Sequence, residues 1–302
     1  MKVIFLGTSG SMPTDSRGSS AIAIKQGREV VLLDCGEGTQ RQMVRAHLSF
    51  HKVSHILITH LHGDHILGLP GLLQTMTLLQ REEPLDIFGP KGTFSYIQTV
   101  SDALGGPGFV VSIHEIESPG TIYEGSDYAI EAIHAQHRVE CWSFLISEHP
   151  RPGRFHPEKA KELCVPEGRL WKRLQDGFDV EVDGKIIHSS DVVDTSRAGR
   201  RVVYSGDTTP TEQLVAVSKG VDLLIHEATF TEELLQRAAE DGHSTARQAA
   251  EQAKNAGVIK LILTHLSSRY FDPEQILVEA KAIFPNVLVA EDLLVYEIPP
   301  HH

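Results

Sequence analysis

The chain has 302 residues, 41% apolar and 23% charged, with a net charge of −12 that argues against indiscriminate nucleic-acid binding. No apolar run reaches the roughly 18 residues of a membrane helix. The start, MKVIFLGTSGSMP, lacks the long apolar core and cleavage site of a signal peptide. Cys35, Cys141 and Cys164 form no CxxC pair and fit a reducing, cytoplasmic setting.

Strands are expected at 2–7, 20–25 and 29–34, the last entering DCGEGTQRQM, which turns at Gly36 and Gly38 into a helix. The stretch HILITHLHGDHILGLPG, residues 55–70, opens with a short β-branched run and then carries His60, His62, Asp64 and His65. A helix is predicted over 67–79, with Pro70 tolerated only in its first turn. Strand 85–88, helix 93–103 and strands 109–116, 127–134 and 141–147 follow. Residues 148–201 read as an excursion, a protruding arm with four prolines, one short amphipathic helix and few core-like strands. Within 151–173, Arg151, Arg154, Lys159, Lys161, Arg169, Lys172 and Arg173 face three glutamates, a local charge of +4. That reversal of sign suits an anionic partner, or simply a solvated, salt-bridged loop.

The chain then returns to core-like strands at 202–204, 221–225 and 261–263, which end in SGDTTP, HEATF and THLSSRY. Helices at 245–256 and 273–283 and strands near 287–290 and 293–298 complete it. Two βαβ-rich halves predict an α/β fold, an αββα sandwich in one domain over 1–302 with the arm inserted at about 148–201.

Three imidazoles and a carboxylate within six residues are poor core material, because each buried polar group needs a partner. As nitrogen and oxygen donors at roughly 2.0–2.2 Å they suit zinc; the plainer reading is a polar loop after a strand. His137, Asp207 and His265 each follow a strand, and each alone reads as a hydrogen-bonded structural residue. Jointly they complete a shell for two zinc ions per subunit. His60, His62 and His137 would hold one and Asp64, His65 and His265 the other, with Asp207 bridging. Metals roughly 3.5–4 Å apart suit in-line displacement at phosphorus.

The HxHxDH pattern at 60–65 resembles the metallo-β-lactamase superfamily, whose members include thioesterase-like enzymes, phosphodiesterases and nucleases. DCGEGTQRQM, GLPGLL, YSGDTTP, HEATF, GHSTA and THLSSRY are similar, more specifically, to blocks of ribonuclease Z, the tRNA 3′-processing endonuclease family. The resemblance implies hydrolysis of precursor tRNA after the discriminator nucleotide, leaving a 3′-hydroxyl and a trailer 5′-phosphate. It also implies the seven ligands above, Asp64 as acceptor of the attacking water's proton, and Glu227 with His243 as the pair that protonates the leaving oxygen. For that pair the plainer role is support of a ligand imidazole. The resemblance further implies a tRNA-gripping arm and a homodimer in which each arm serves the other subunit. The chain departs from the family's PxKxRN loop, having Asp15 and Gly18 in place of Lys and Asn. Arg169 also stands where a second proline is common. Two other functions compete. A small-molecule or cyclic-nucleotide phosphodiesterase gives the arm no task, and a non-catalytic RNA-binding protein would be expected to have lost ligands.

Overall fold

Strands buried on both faces dominate the chain and dictate its layering. In the computed structural model, which describes residues 1–301, KVIFLG at Lys2–Gly7 and AIAIKQ at Ala21–Gln26 bury nearly every side chain. Such strands need cover above and below the sheet. On one face Ile4, Leu6, Ala23, Leu32 and Ile56 pack with Leu69, Leu72, Met76 and Ile97 of the helices Leu69–Leu78 and Thr93–Leu104. On the other, Val3, Phe5, Ile22, Ile24 and Leu33 are fully buried too. Each such side chain taken from water stabilises the fold by roughly 1.5–3 kcal/mol before entropy is counted.

This first sheet has seven strands, in the order Val295–Glu297, Lys2–Gly7, Ala21–Gln26, Glu29–Leu33, Val53–Leu57, Leu85–Gly89 and Val111–Glu115. The second, also of seven, runs Val287–Val289, Lys260–Thr264, Leu223–Glu227, Arg201–Tyr204, Cys141–Glu148, Tyr128–Ala135 and Gly120–Glu124. Its outer face packs Leu224, Leu261 and Leu263 against the alanines of Ala246–Ala256 and against Ile276 and Ala280. Tyr204, fully buried, reaches from this sheet to Asp34 Oδ2 at 2.8 Å and Ser20 Oγ at 3.2 Å. The result is the α/β fold expected, an αββα sandwich. The last four strands of the first sheet are mutually parallel, as are the first four of the second. Loops after Leu33, Leu57, Tyr204, Glu227 and Thr264 therefore leave from carboxyl ends of parallel strands, where α/β sheets hold ligands.

The chain divides into two compact units, and the smaller is built mainly from Glu148–Arg200. The expectation of one helix and few strands there needs correcting. The segment has three short helices, Pro157–Glu162, Arg169–Gln175 and Ser189–Val192, and a hairpin pairing Val180–Val182 with Lys185–Ile187. Ala160, Val165, Leu174, Val180, Ile187 and Val192 give it a core of its own. The ends of the segment are pinned by Arg200, whose Nε and Nη2 donate to Glu148 at 2.5 and 2.6 Å.

Three other expectations shift. The helix at 67–79 begins at Leu69, since Gly68 separates it from a short turn of helix at Gly63–Ile66. Gly120–Glu124 is a strand that its flanking Gly and Ser residues disguised. Helices Glu212–Val217 and Leu235–Asp241 are too short for a periodic signal. Among the described residues no helix is long and apolar enough to cross a membrane.

Candidate metal centre

The parallel strand Val53–Leu57 ends in buried Ile58 and Thr59, after which His62 caps the one-turn helix Gly63–Ile66. That turn directs His60, His62, Asp64 and His65 toward residues delivered by the second sheet. His60, His62 and His137 form one group of donor atoms within 4.8 Å of one another, and Asp64, His65 and His265 form another. Asp207 joins His60 and His65 in a third. All seven predicted donors thus come together, and His62, Asp64, His137 and Asp207 among them line a cavity of about 550 Å³.

Hydrogen bonds orient the imidazoles. His65 donates from Nδ1 to Asp34 Oδ2 at 2.8 Å, and His60 from Nδ1 to Thr59 Oγ1 at 3.0 Å. His137 donates from Nδ1 to the Gly242 carbonyl at 2.7 Å, and His265 from Nδ1 to Thr229 Oγ1 at 3.0 Å. The inward nitrogens then crowd one another: His60 Nε2 lies 2.9 Å from His62 Nδ1, and His65 Nε2 lies 3.2 Å from His265 Nε2. Only shared protons or cations relieve such contacts. Asp207 Oδ1 is buried with no hydrogen-bond partner, while Oδ2 stands 3.4 Å from both His65 and His265. Nitrogen donors fixed from behind and an orphaned carboxylate oxygen fit divalent metal ions.

The electrostatics agree. Burial alone would depress His65, but Asp207 and Asp34 outweigh it and hold the imidazole well above its ordinary pKa. His60, buried beside His65, is driven well below. Burial opposes ionisation of Asp64 and Asp207, yet hydrogen bonds from His265 and His65 hold the Asp64 carboxyl far down, and the charges of the same two imidazoles do so for Asp207. The Ser11 amide adds a 2.7 Å bond to Asp64 Oδ2.

His243 lies at the same mouth, its Nδ1 2.8 Å from Glu227 Oε1. Burial lowers its pKa, but the Glu227 charge and hydrogen bond, with Asp207, raise it to about 9. Glu227 makes no direct bond to a predicted ligand imidazole among the described residues. Its Oε2 accepts from Thr229, whose hydroxyl in turn takes the His265 proton.

Asp34, Thr59 and Thr229 were not singled out by sequence, although Asp34 sits within the DCGEG block. Asp34 is fully buried, takes φ +58°, and accepts from Thr59, His65 and Tyr204 together. We expect Asp34→Ala to weaken metal binding roughly 10–100-fold. Competition against a chromogenic chelator measures this, and an unchanged affinity would exclude the role.

The basic residues at 151–173 are all exposed, but they are not equivalent. Arg151 pairs with Glu148 at 3.1 Å, Lys161 with Glu167 at 3.1 Å and Lys172 with Asp176 at 2.8 Å. Arg154, Lys159, Arg169 and Arg173 have no ion-pair partner within 4.0 Å among the described residues. Over 148–200 ten basic residues meet ten acidic ones, so the unit is polarised rather than basic overall. At the N-terminal departure, Gly18 donates its amide to Asp292, and the loop lines a separate cavity of about 260 Å³ with Arg41 and Arg45.

Residues 1–142 match the family described as Anti-Pycsar protein Apyc1, and residues 189–266 match the beta-lactamase superfamily domain. The chain is 46% identical over 301 residues to Ribonuclease Z of Methanosarcina acetivorans, covering 99% of this chain and 98% of that protein. It is also 46% identical over 303 residues to Ribonuclease Z of Haloferax volcanii, covering 99% and 95%. The crystal structure of the short form of human tRNase Z superposes with a TM-score of 0.74 at 28% identity, over 99% of this chain and 100% of that one. The metallo-beta-lactamase fold protein YhfI from Bacillus subtilis, at 22% identity and a TM-score of 0.70 over 98% and 99%, speaks to the fold alone. With full-length relatives at this identity and a matching fold, the chain belongs to the ribonuclease Z family of metallo-β-lactamase-fold hydrolases.

Proposed function

We propose that the chain is a zinc-dependent endoribonuclease that removes the 3′ trailer of precursor tRNA. It cuts after the discriminator nucleotide, leaving a tRNA 3′-hydroxyl and a trailer 5′-phosphate. One observation carries the reading: seven His and Asp donors gathered at a cavity mouth, in a chain aligned end to end with ribonuclease Z proteins.

In this reading His60, His62 and His137 would hold one zinc ion and Asp64, His65 and His265 a second, with Asp207 available to both. When bound, the metals supply Lewis acidity and a water of lowered pKa. Asp64, whose Oδ2 accepts the Ser11 amide at 2.7 Å, would accept the attacking water's proton. His243 gives a proton to the leaving 3′ oxygen. Glu227 positions it by holding Nδ1, which leaves Nε2 as the working nitrogen. The test is to map the cut, and the product ends, on precursor tRNA with and without an encoded CCA. Cleavage within the tRNA body, or none by zinc-loaded protein, would reject the reading.

The unit at 148–200 serves in this proposal as the tRNA-gripping arm, reading phosphates and shape rather than sequence. In a homodimer each arm serves the partner's active site. Replacing Arg154, Lys159, Arg169 and Arg173 together by alanine should raise KM for precursor tRNA at least about tenfold, with a shallower salt dependence. Turnover of bis(p-nitrophenyl) phosphate should stay near wild type, and equal losses on both substrates would count against the arm.

A further inference from the structure

We propose that Arg138 and Arg237, yoked by Asp241 at the rim of the cavity, clamp the phosphodiester next to the scissile one on its 5′ side. This rests on the reading of precursor tRNA as substrate. Arg138 directly follows His137, and its Nη1 lies 3.6 Å from Asp241 Oδ1. Arg237, on the helix Leu235–Asp241, donates from Nε to the other oxygen of the same carboxylate at 3.2 Å. Both guanidiniums line the cavity with their side chains more than half exposed, at 64% and 57%. One carboxylate therefore orients two cations, leaving a net positive charge and most of their ten N–H donors open. Two guanidiniums presenting parallel N–H pairs match the oxygens of a phosphodiester.

The yoke is held rigidly against the metal centre. Gly242, the residue after Asp241, takes the His137 proton on its carbonyl at 2.7 Å. Its φ is +77°, and a Cβ there would fall 2.9 Å from His137 Nδ1 and 3.1 Å from the Arg138 amide. Only glycine lets the two segments approach this closely. Arg237 also lies over the Phe230 ring at 6.0 Å, and Phe230 stands edge-on to His243 at 6.1 Å. Both arginines thus flank the His137 and His243 side of the mouth. His243 faces the leaving 3′ oxygen, so the discriminator nucleoside lies on this side. The next anion there is that nucleoside's own 5′ phosphate. An exposed pair such as Arg138–Asp241 stabilises a fold little, which leaves a structural purpose for the pairing unconvincing.

The experiment combines Arg138→Gln/Arg237→Gln with precursor tRNAs carrying one uncharged methylphosphonate, either 5′ of the discriminator or on the trailer side of the cut. On the all-phosphate substrate the double variant should raise KM roughly tenfold or more, the loss of charge-assisted phosphate bonds. The neutral linkage 5′ of the discriminator should cost the wild type a similar factor and the double variant nothing further. The trailer-side linkage should cost both proteins equally. Additive losses at both positions, or non-additivity only on the trailer side, overturn the clamp. Arg237→Gln alone, on an exposed helix face, repeats the cycle at half the effect if the double variant melts early. A wild type that cuts no precursor tRNA overturns the substrate reading and the clamp together, whereas a wild type that cuts with additive losses overturns only the clamp.

Discussion

Asp207→Asn should lower kcat on precursor tRNA by on the order of 10³-fold or more, because Lewis-acid stabilisation worth several kcal/mol would go with one metal of the proposed pair. The Asp207 carboxylate forms a third group with His60 of one donor set and His65 of the other. Its Oδ2 lies 3.4 Å from His65 and His265 and 3.7 Å from His60, and its Oδ1 is buried without a protein partner. Asparagine keeps the shape but removes the charge that would offset the proposed cations. On the two-zinc proposal, bound zinc should fall below two per subunit, read by elemental analysis alongside the kinetics. A variant that kept two metals and normal turnover would remove Asp207 from the centre.

His243→Ala should cost roughly 10²–10⁴-fold on precursor tRNA, the usual contribution of a positioned general acid. The loss should be far smaller on bis(p-nitrophenyl) phosphate, whose leaving group departs without protonation. Equal losses on both would assign His243 to the metal shell instead. The Glu227→Gln variant separates the same roles through pH. The Glu227 charge and hydrogen bond lift His243 to about 9 against the pull of burial. A raised imidazole keeps its proton below that value and loses it as pH rises through it. The corresponding stabilisation is complete below the ordinary histidine range and disappears across the same interval. Activity should therefore fall on the alkaline side, and Glu227→Gln should move that limb to lower pH. Cations bound in the proposed centre would lower the limb in both proteins, so the difference between the two profiles is the readout; coincident profiles would leave Glu227 no part in setting the proton on His243.

The basic arm shows how a linear reading can mislead about energetics. Seven cations over 151–173 stand out along the chain. In three dimensions Glu148, Glu167 and Asp176 occupy three of them. Acidic residues of the hairpin and its flanks then balance the unit. What survives among the described residues is four cations without an ion-pair partner, and those are the ones to mutate.

Residues 55–70 reveal their chemistry from local spacing alone. A short apolar strand, a turn and four donors within six residues depend only on backbone geometry and the cost of burying polar groups. The strands and the αββα layering were likewise readable, since continuous β-branched runs demand cover on both faces. Tertiary structure alone decided what lies behind His65, His137 and His265. Asp34 meets His65 across 31 residues, and Gly242 meets His137 across 105. Such bonds join segments with no shared periodicity. They form because parallel strands end on a common edge, and that is what turns a pattern of histidines into an oriented metal centre.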